Sequence, residues 1–202
     1  MSRALGRPVT RALPWLLAGA LAACGSSPPT HFHSLVATPV STGKAAHVVP
    51  ASGVHFEVLP VAVPVQVDVP QFVVRLSDGS MAVLEHDRWI APLGEEIRAA
   101  LTLRVGQVLA DVPPSSHAAS AGAWRVGLEV QRFDSMMGRS ASVQLQWSLQ
   151  QGGGAAVLRC QARYEESVGT GASALAAGYR AVFERLGDAI ARALQVAAAG
   201  GT

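Results

Sequence analysis

Few side chains in this chain have the chemistry of nucleophiles, metal ligands or proton carriers. There are two cysteines, six histidines and adjacent carboxylates at Glu95-Glu96 and Glu165-Glu166. The histidines are scattered. His31 and His33 would share one face of a strand, a spacing that could chelate a metal, but no third ligand stands near them and no metal site is expected. Adjacent carboxylates on a helix or strand diverge rather than converge on a substrate, so both pairs read as solvated charges. Gly152-Gly153-Gly154 lacks the lysine and following helix of a phosphate-binding loop. No serine sits in a nucleophile elbow. Cys160 alternates with polar neighbours on the apolar side of a strand, which predicts a buried, inert thiol. No catalytic constellation and no cofactor is therefore expected.

Cys24 is different. Arg3, Arg7 and Arg11 precede an apolar run from Leu13 to Leu21, and small residues Ala22 and Ala23 lead directly into the cysteine. A basic start, a short apolar core and a small-residue exit describe a secretory signal peptide, here residues 1–23. The run is too short for the roughly 20 residues of a membrane span. Leu21-Ala22-Ala23-Cys24 resembles a bacterial lipobox, in which the cysteine thiol is acylated and the cysteine becomes the new N-terminus. Acyl chains at Cys24 would hold the rest of the chain to a membrane surface. Gly25 and Ser26 carry no aspartate of the kind that retains enterobacterial lipoproteins in the inner membrane, so outer-membrane placement, facing the periplasm, is expected.

Loss of the three leader arginines changes the charge. The full chain has 16 basic and 14 acidic side chains and a formal charge of +2; residues 24–202 come to about −1. No basic face for nucleic acid is implied. Cys160 would be the one remaining free thiol, so no internal disulfide is possible.

These residues need a scaffold. Residues 24–53 read as a lipidated tether with a first strand at His31 to Val36, followed by a linker-like stretch from Ala37 to Gly53. Residues 54–202 read as one domain. Val54 to Val63 is nearly continuously apolar, as in a central strand buried on both faces, ended by Pro64. Asp78-Gly79 between two apolar runs predicts a hairpin. Trp89 stands just ahead of a helix whose first turn holds Pro92, Glu95 and Glu96. Its apolar stripe is Leu93, Ile97, Leu101, Val105 and Val108. Three alternating strands follow. Trp124, Val126, Leu128 and Val130 oppose Arg125, Glu129 and Gln131; Val143, Leu145, Trp147 and Leu149 oppose Gln144, Gln146, Ser148 and Gln150; Leu158, Cys160, Ala162 and Tyr164 oppose Arg159, Gln161, Arg163 and Glu165. Such alternation predicts an antiparallel meander with one buried and one wet face. A last helix, about Ser173 to Ala198, carries a stripe through Leu175, Tyr179, Val182, Leu186, Ile190 and Leu194, with Asp188 and Arg192 placed to pair on its outer side. The expected fold is α/β: one mixed sheet of about six strands with two long helices largely on one face.

Several short stretches also occur in a telling order: Phe32 and Leu35 after the tether, the strand ending at Pro60 to Pro64, Pro70-Gln71-Phe72-Val73-Val74-Arg75, and Trp89-Ile90-Ala91-Pro92-Leu93. Together with the lipobox they resemble the ABC-type transport auxiliary lipoproteins, the family that includes PqiC. That family tends to carry an Arg-Pro-Gln-apolar-Val-x-Arg stretch and a Trp-x-x-Pro-Leu stretch. This chain has Val69 where arginine is common and Ala91 where an acidic residue is frequent.

The resemblance implies a fold similar to the N-terminal domain of TolB and a protein that does no chemistry. It implies a tethered, self-associating docking subunit of a lipid transport system containing an ABC ATPase, a permease and an MCE-domain periplasmic protein, with lipid as cargo and a role in outer-membrane integrity. The surface expected to meet the partner is the wet sheet face, with Arg125, Gln144, Gln146 and Arg163, and the hairpin tip at Met136 and Met137, where flexible apolar side chains suit a contact. The alternative is a lipid-binding periplasmic carrier with its own pocket.

Overall fold

The computed structural model describes residues 28–36, 53–111, 123–152, 154 and 156–199. The lipobox, Gly25 and Ser26, and the stretch 37–52 lie outside the described residues. The described elements run β1 (His31–His33), β2 (Phe56–Val58), β3 (Gln71–Arg75), β4 (Met81–Trp89), α1 (Leu93–Ala110), β5 (Trp124–Met136), β6 (Ser140–Gln151), β7 (Ala156–Ser167) and α2 (Ala172–Ala199).

The fold is α/β, but its strands form two sheets rather than one. A three-stranded sheet has the order β1-β4-β3, and a four-stranded sheet the order β2-β5-β6-β7. Both are mixed: β1 runs parallel to β4 and β2 parallel to β5, while the other pairs are antiparallel. The parallel partners lie far apart in sequence, so no local pattern announces them.

The meander β5-β6-β7 forms in the expected register, with Leu128 opposite Trp147 and Trp147 opposite Cys160. Cys160 is half-buried rather than buried, because β7 is an edge strand, though its side chain still packs against the core. The alternation changes phase within β5. A bulge between Val130 and Arg132 leaves Gln131 and Arg132 both exposed, and Phe133 and Ser135 then point inward. One extra residue at a bulge shifts every later side chain to the other face.

The β3–β4 hairpin turns at Asp78-Gly79 as its sequence predicts. Gly79 has φ +89°, a conformation that glycine adopts without steric cost. The Asp78 carboxylate accepts hydrogen bonds from the Ser80 amide at 2.9 Å and hydroxyl at 2.6 Å. Trp89 closes β4 rather than standing free ahead of the helix. Its ring stacks on Phe72 at 4.1 Å and meets Phe133 and Tyr179 edge-on. Phe133 and Tyr179 stack at 4.0 Å. This aromatic column joins the small sheet, the large sheet and α2. Burial raises the Tyr179 hydroxyl's pKa, and the group bonds the Ser135 hydroxyl at 2.8 Å.

Three expectations require correction. Val54 to Val63 is not a central strand. Only Phe56–Val58 pairs regularly, at the edge of the large sheet, with a further bridge from Ala62 to Glu129. Pro60 and Pro64 lack the donors for a longer ladder, and the run's apolar residues pack beside α1, where Gly94 lies so close to the Val61 carbonyl that a Cβ would sit 2.6 Å from its oxygen. Glu96 is not a solvated charge: it is 4% exposed, and its Oε2 accepts bonds from the Leu35 amide and the Ser34 hydroxyl. Asp188 is held not by Arg192 but by Arg104 of α1, whose Nε donates to it at 2.7 Å. The helices cross closely there, so the neighbouring helix offers a better placed guanidinium than the next turn.

A candidate docking face on the large sheet

The second helix, α2, packs on the inward set of β5, β6 and β7 through Leu175, Tyr179, Val182, Leu186 and Ile190, and α1 packs against α2 and β2 through its Ile97–Leu101–Val105 stripe. The other face of the large sheet is left to its polar residues. Gln146 stands between Glu129 and Gln161 across three strands, and Gln144 between Arg132 and Arg163. The strand alternation therefore places two glutamines in the middle of a row of charges.

An open groove of about 600 Å³ runs along this face under the Leu59–Ala62 edge. Its floor is low because Gly127 has no side chain; a Cβ there would lie 2.9 Å from the Ser148 hydroxyl. Glu129, Gln146, Arg159 and Gln161 line its walls together with the apolar Leu59, Pro60, Ala62, Leu128 and Trp147. The four polar side chains can donate and accept hydrogen bonds over an apolar edge, a mixture common to protein contact surfaces.

Towards the other end of β5 the face changes character. Arg75, from β3 of the small sheet, donates from Nη2 to Asp134 Oδ1 at 2.8 Å, and Arg132 also pairs with Asp134. The Asp134 side chain is 13% exposed. Burial alone would raise its pKa, but the hydrogen bonds from Arg75 and Arg132 outweigh that and hold the carboxyl below its usual value. This ion cluster ties the two sheets together and fixes both guanidiniums beside Gln144.

The expected contact residues do not form one site. Gln144 and Arg163 share a hollow with Arg132 and Asp134, and Gln146 lies in the adjoining groove. Arg125 stands near the start of β5, 4.0 Å from Glu57. Met136 and Met137 lie at the far end of the same strand, about 35 Å away at the rise of an extended chain. Met136 is half-buried and Met137 is 39% exposed. Asp134 was missed because the bulge hides its register. Arg75 was visible in its motif, but its partner was not.

Among the described residues no three histidine, cysteine, aspartate or glutamate side chains gather to hold a metal. His33 instead bonds Asp87 at 2.8 Å and packs on Phe72. No described helix is long and apolar enough to cross a membrane.

Comparison with known proteins fits this architecture. The family model for the ABC-type transport auxiliary lipoprotein component matches residues 36–191, and the chain belongs to that family. No curated protein matches it. Among solved structures, a crystal structure of an uncharacterized protein superposes with TM-score 0.64 at 16% identity, covering 83% of this chain and 99% of the other. A Xanthomonas campestris protein of the DUF330 family superposes with TM-score 0.58 at 14% identity, covering 80% and 93%. At such identities the structures attest the fold. The family is one of transport auxiliary components, not a known enzyme family.

Proposed function

We propose that this chain is an outer-membrane-anchored periplasmic subunit of an MCE/ABC-type lipid transport system. Residues 1–23 are its signal peptide and Cys24 its acylation site, with Gly25 and Ser26 permitting export to the outer membrane. Residues 54–202 dock a periplasmic MCE-domain partner and help maintain the outer-membrane barrier.

One observation carries the docking role. The large sheet is covered by helices on one face only, and its other face presents an ordered polar row over an open groove. Fixed guanidiniums at Arg75 and Arg132 cost little further ordering when a partner carboxylate or carbonyl meets them. The groove is open to solvent and its lining is mixed, with Glu129, Gln146, Arg159 and Gln161 beside Leu59, Pro60, Ala62 and Trp147. An open surface of this kind suits a protein partner better than an acyl chain, which needs an enclosed apolar cavity, and this favours docking over the carrier alternative.

Affinity purification of the tagged, full-length chain from a native host tests this reading. An MCE-domain protein should co-purify, and deletion of the gene should raise detergent sensitivity. A barrier unchanged by deletion, with no transport component retained, would refute it. Stoichiometric lipid inside the purified domain would make the carrier the better account.

A further inference from the structure

The exposed apolar side chains of this domain are unevenly distributed. Among the described residues, Phe32, Val69, Leu76, Met81, Val83 and Ile90 are exposed on or beside the small sheet, while Val65, Leu103, Met137 and Val196 are exposed singly elsewhere. In a β-sheet, alternate residues share a face. His33, Phe72, Val74, Leu84 and Trp89 form the inward set. The outward set therefore includes Phe32 beside Arg88 and Val83 beside Val73, whereas Met81 and Arg75, at the far end of the hairpin, belong to the docking hollow with Asp134 and Gln144. Phe32 is 61% and Ile90 65% exposed, and the Ile90 amide bonds the His33 carbonyl, which brings Ile90 alongside Phe32. Arg88 stands in this apolar row with its Nε buried and without a partner among the described residues. Glu85 is exposed on the same strand.

β1 is also the strand nearest Cys24. Seven residue steps separate Cys24 from His31, a span of at most about 25 Å. The segment behind β1 is clamped to the body: Glu96 holds Ser34 and Leu35, and the Arg180 guanidinium donates to the Ser34 carbonyl at 3.0 Å. A lipid at Cys24 would thus keep β1, and the sheet it edges, within one short tether of the bilayer.

We propose that the β1–β4 side of the small sheet's outward face, away from the Arg75–Asp134 hollow, rests on the bilayer that holds the Cys24 acyl chains. Phe32, Val83 and Ile90 enter the headgroup boundary, and Arg88 meets lipid phosphates. Tethering makes the contact intramolecular, so a modest apolar surface suffices. This orientation turns the helices away from the membrane. It rests on the lipid-anchor reading of Cys24.

The test uses full-length chain in vesicles of phosphatidylethanolamine and phosphatidylglycerol. In a Cys160→Ser background, a thiol probe is placed by Val83→Cys or, separately, Ile90→Cys. Val196→Cys, on α2 and 73% exposed, serves as the comparison. Intact mass is measured on each sample. Probes at 83 and 90 should lose access to a water-soluble quencher and gain quenching by bromolipid, while the probe at 196 keeps its aqueous access. Acylated protein with equal aqueous access at 83, 90 and 196 would overturn the orientation while leaving the anchor intact. Mass without acyl groups would instead remove the anchor, and the orientation with it.

Discussion

The Glu96 carboxylate, in the first turns of α1, accepts the Leu35 amide at 2.7 Å across a sequence separation of 61 residues. The same oxygen accepts the Ser34 hydroxyl at 2.7 Å. This buried contact fixes the chain just after β1 against the helix that follows β4. Glu96→Ala leaves the Leu35 amide buried without its acceptor and should cost about 1–3 kcal/mol in urea unfolding. Glu96→Gln keeps an acceptor oxygen and should cost less.

The Asp134 cluster sets an acid limit on stability. Its folded-state pKa is lowered, so the stabilisation is present above the unfolded value, at about pH 4, and is lost as pH falls through the lower folded value. Asp78 is shifted in the same direction by its bonds to Ser80, so the informative comparison is between variants. Asp134→Asn should flatten part of the fall in melting temperature below about pH 4, and Arg75→Ala should do the same while loosening the small sheet.

Gly178 of α2 faces Val168 and Ala141. A Cβ there would lie 2.3 Å from Val168 Cγ1 and 3.2 Å from Ala141 Cβ. Alanine would gain about 1 kcal/mol of helix propensity. The β-branched valine has little freedom to turn away, and overpacking of this kind costs about 1–3 kcal/mol. Gly178→Ala should therefore lower the urea midpoint, whereas the same change at Gly106, where a Cβ meets nothing within 4 Å, should raise it.

Placement in the envelope is testable at two residues. Cys24→Ser behind a cleavable signal should yield a soluble periplasmic protein. Gly25→Asp should move the acylated chain towards the inner membrane in an enterobacterial host, read by density-gradient fractionation. Retention of Cys24→Ser in salt-washed membranes would place the anchor elsewhere.

Local patterns carried much of this fold. Alternation placed Val143, Leu145, Trp147 and Leu149 inside, and helical spacing found Leu93, Ile97, Leu101 and Val105. Asp78-Gly79 located the hairpin. What stayed hidden was long-range. His31–His33 and Phe56–Val58 are three-residue strands that form only on distant parallel partners, and division into two sheets follows from those pairings. The bulge at Gln131 adds one residue without any glycine or proline to mark it, so Asp134 could not be assigned a face. Glu96 looked like helix-end charge because its partners, Ser34 and Leu35, lie in another element. Of the docking face, Gln144, Gln146 and Arg163 were legible as outward residues, but the convergence of Gln144 and Arg163 on the Arg132–Asp134 cluster was not.

On the proposed function, the polar face of the large sheet meets a periplasmic MCE-domain protein. Site-specific photo-crosslinking in living cells tests it most directly, with the crosslinking side chain placed at position 144, 146 or 163 and, for comparison, at 196 on α2. The three sheet positions should crosslink to an MCE-domain protein, and position 196 should not. Crosslinks from 196 alone, or no crosslink from the sheet face to any envelope transport protein, would contradict it.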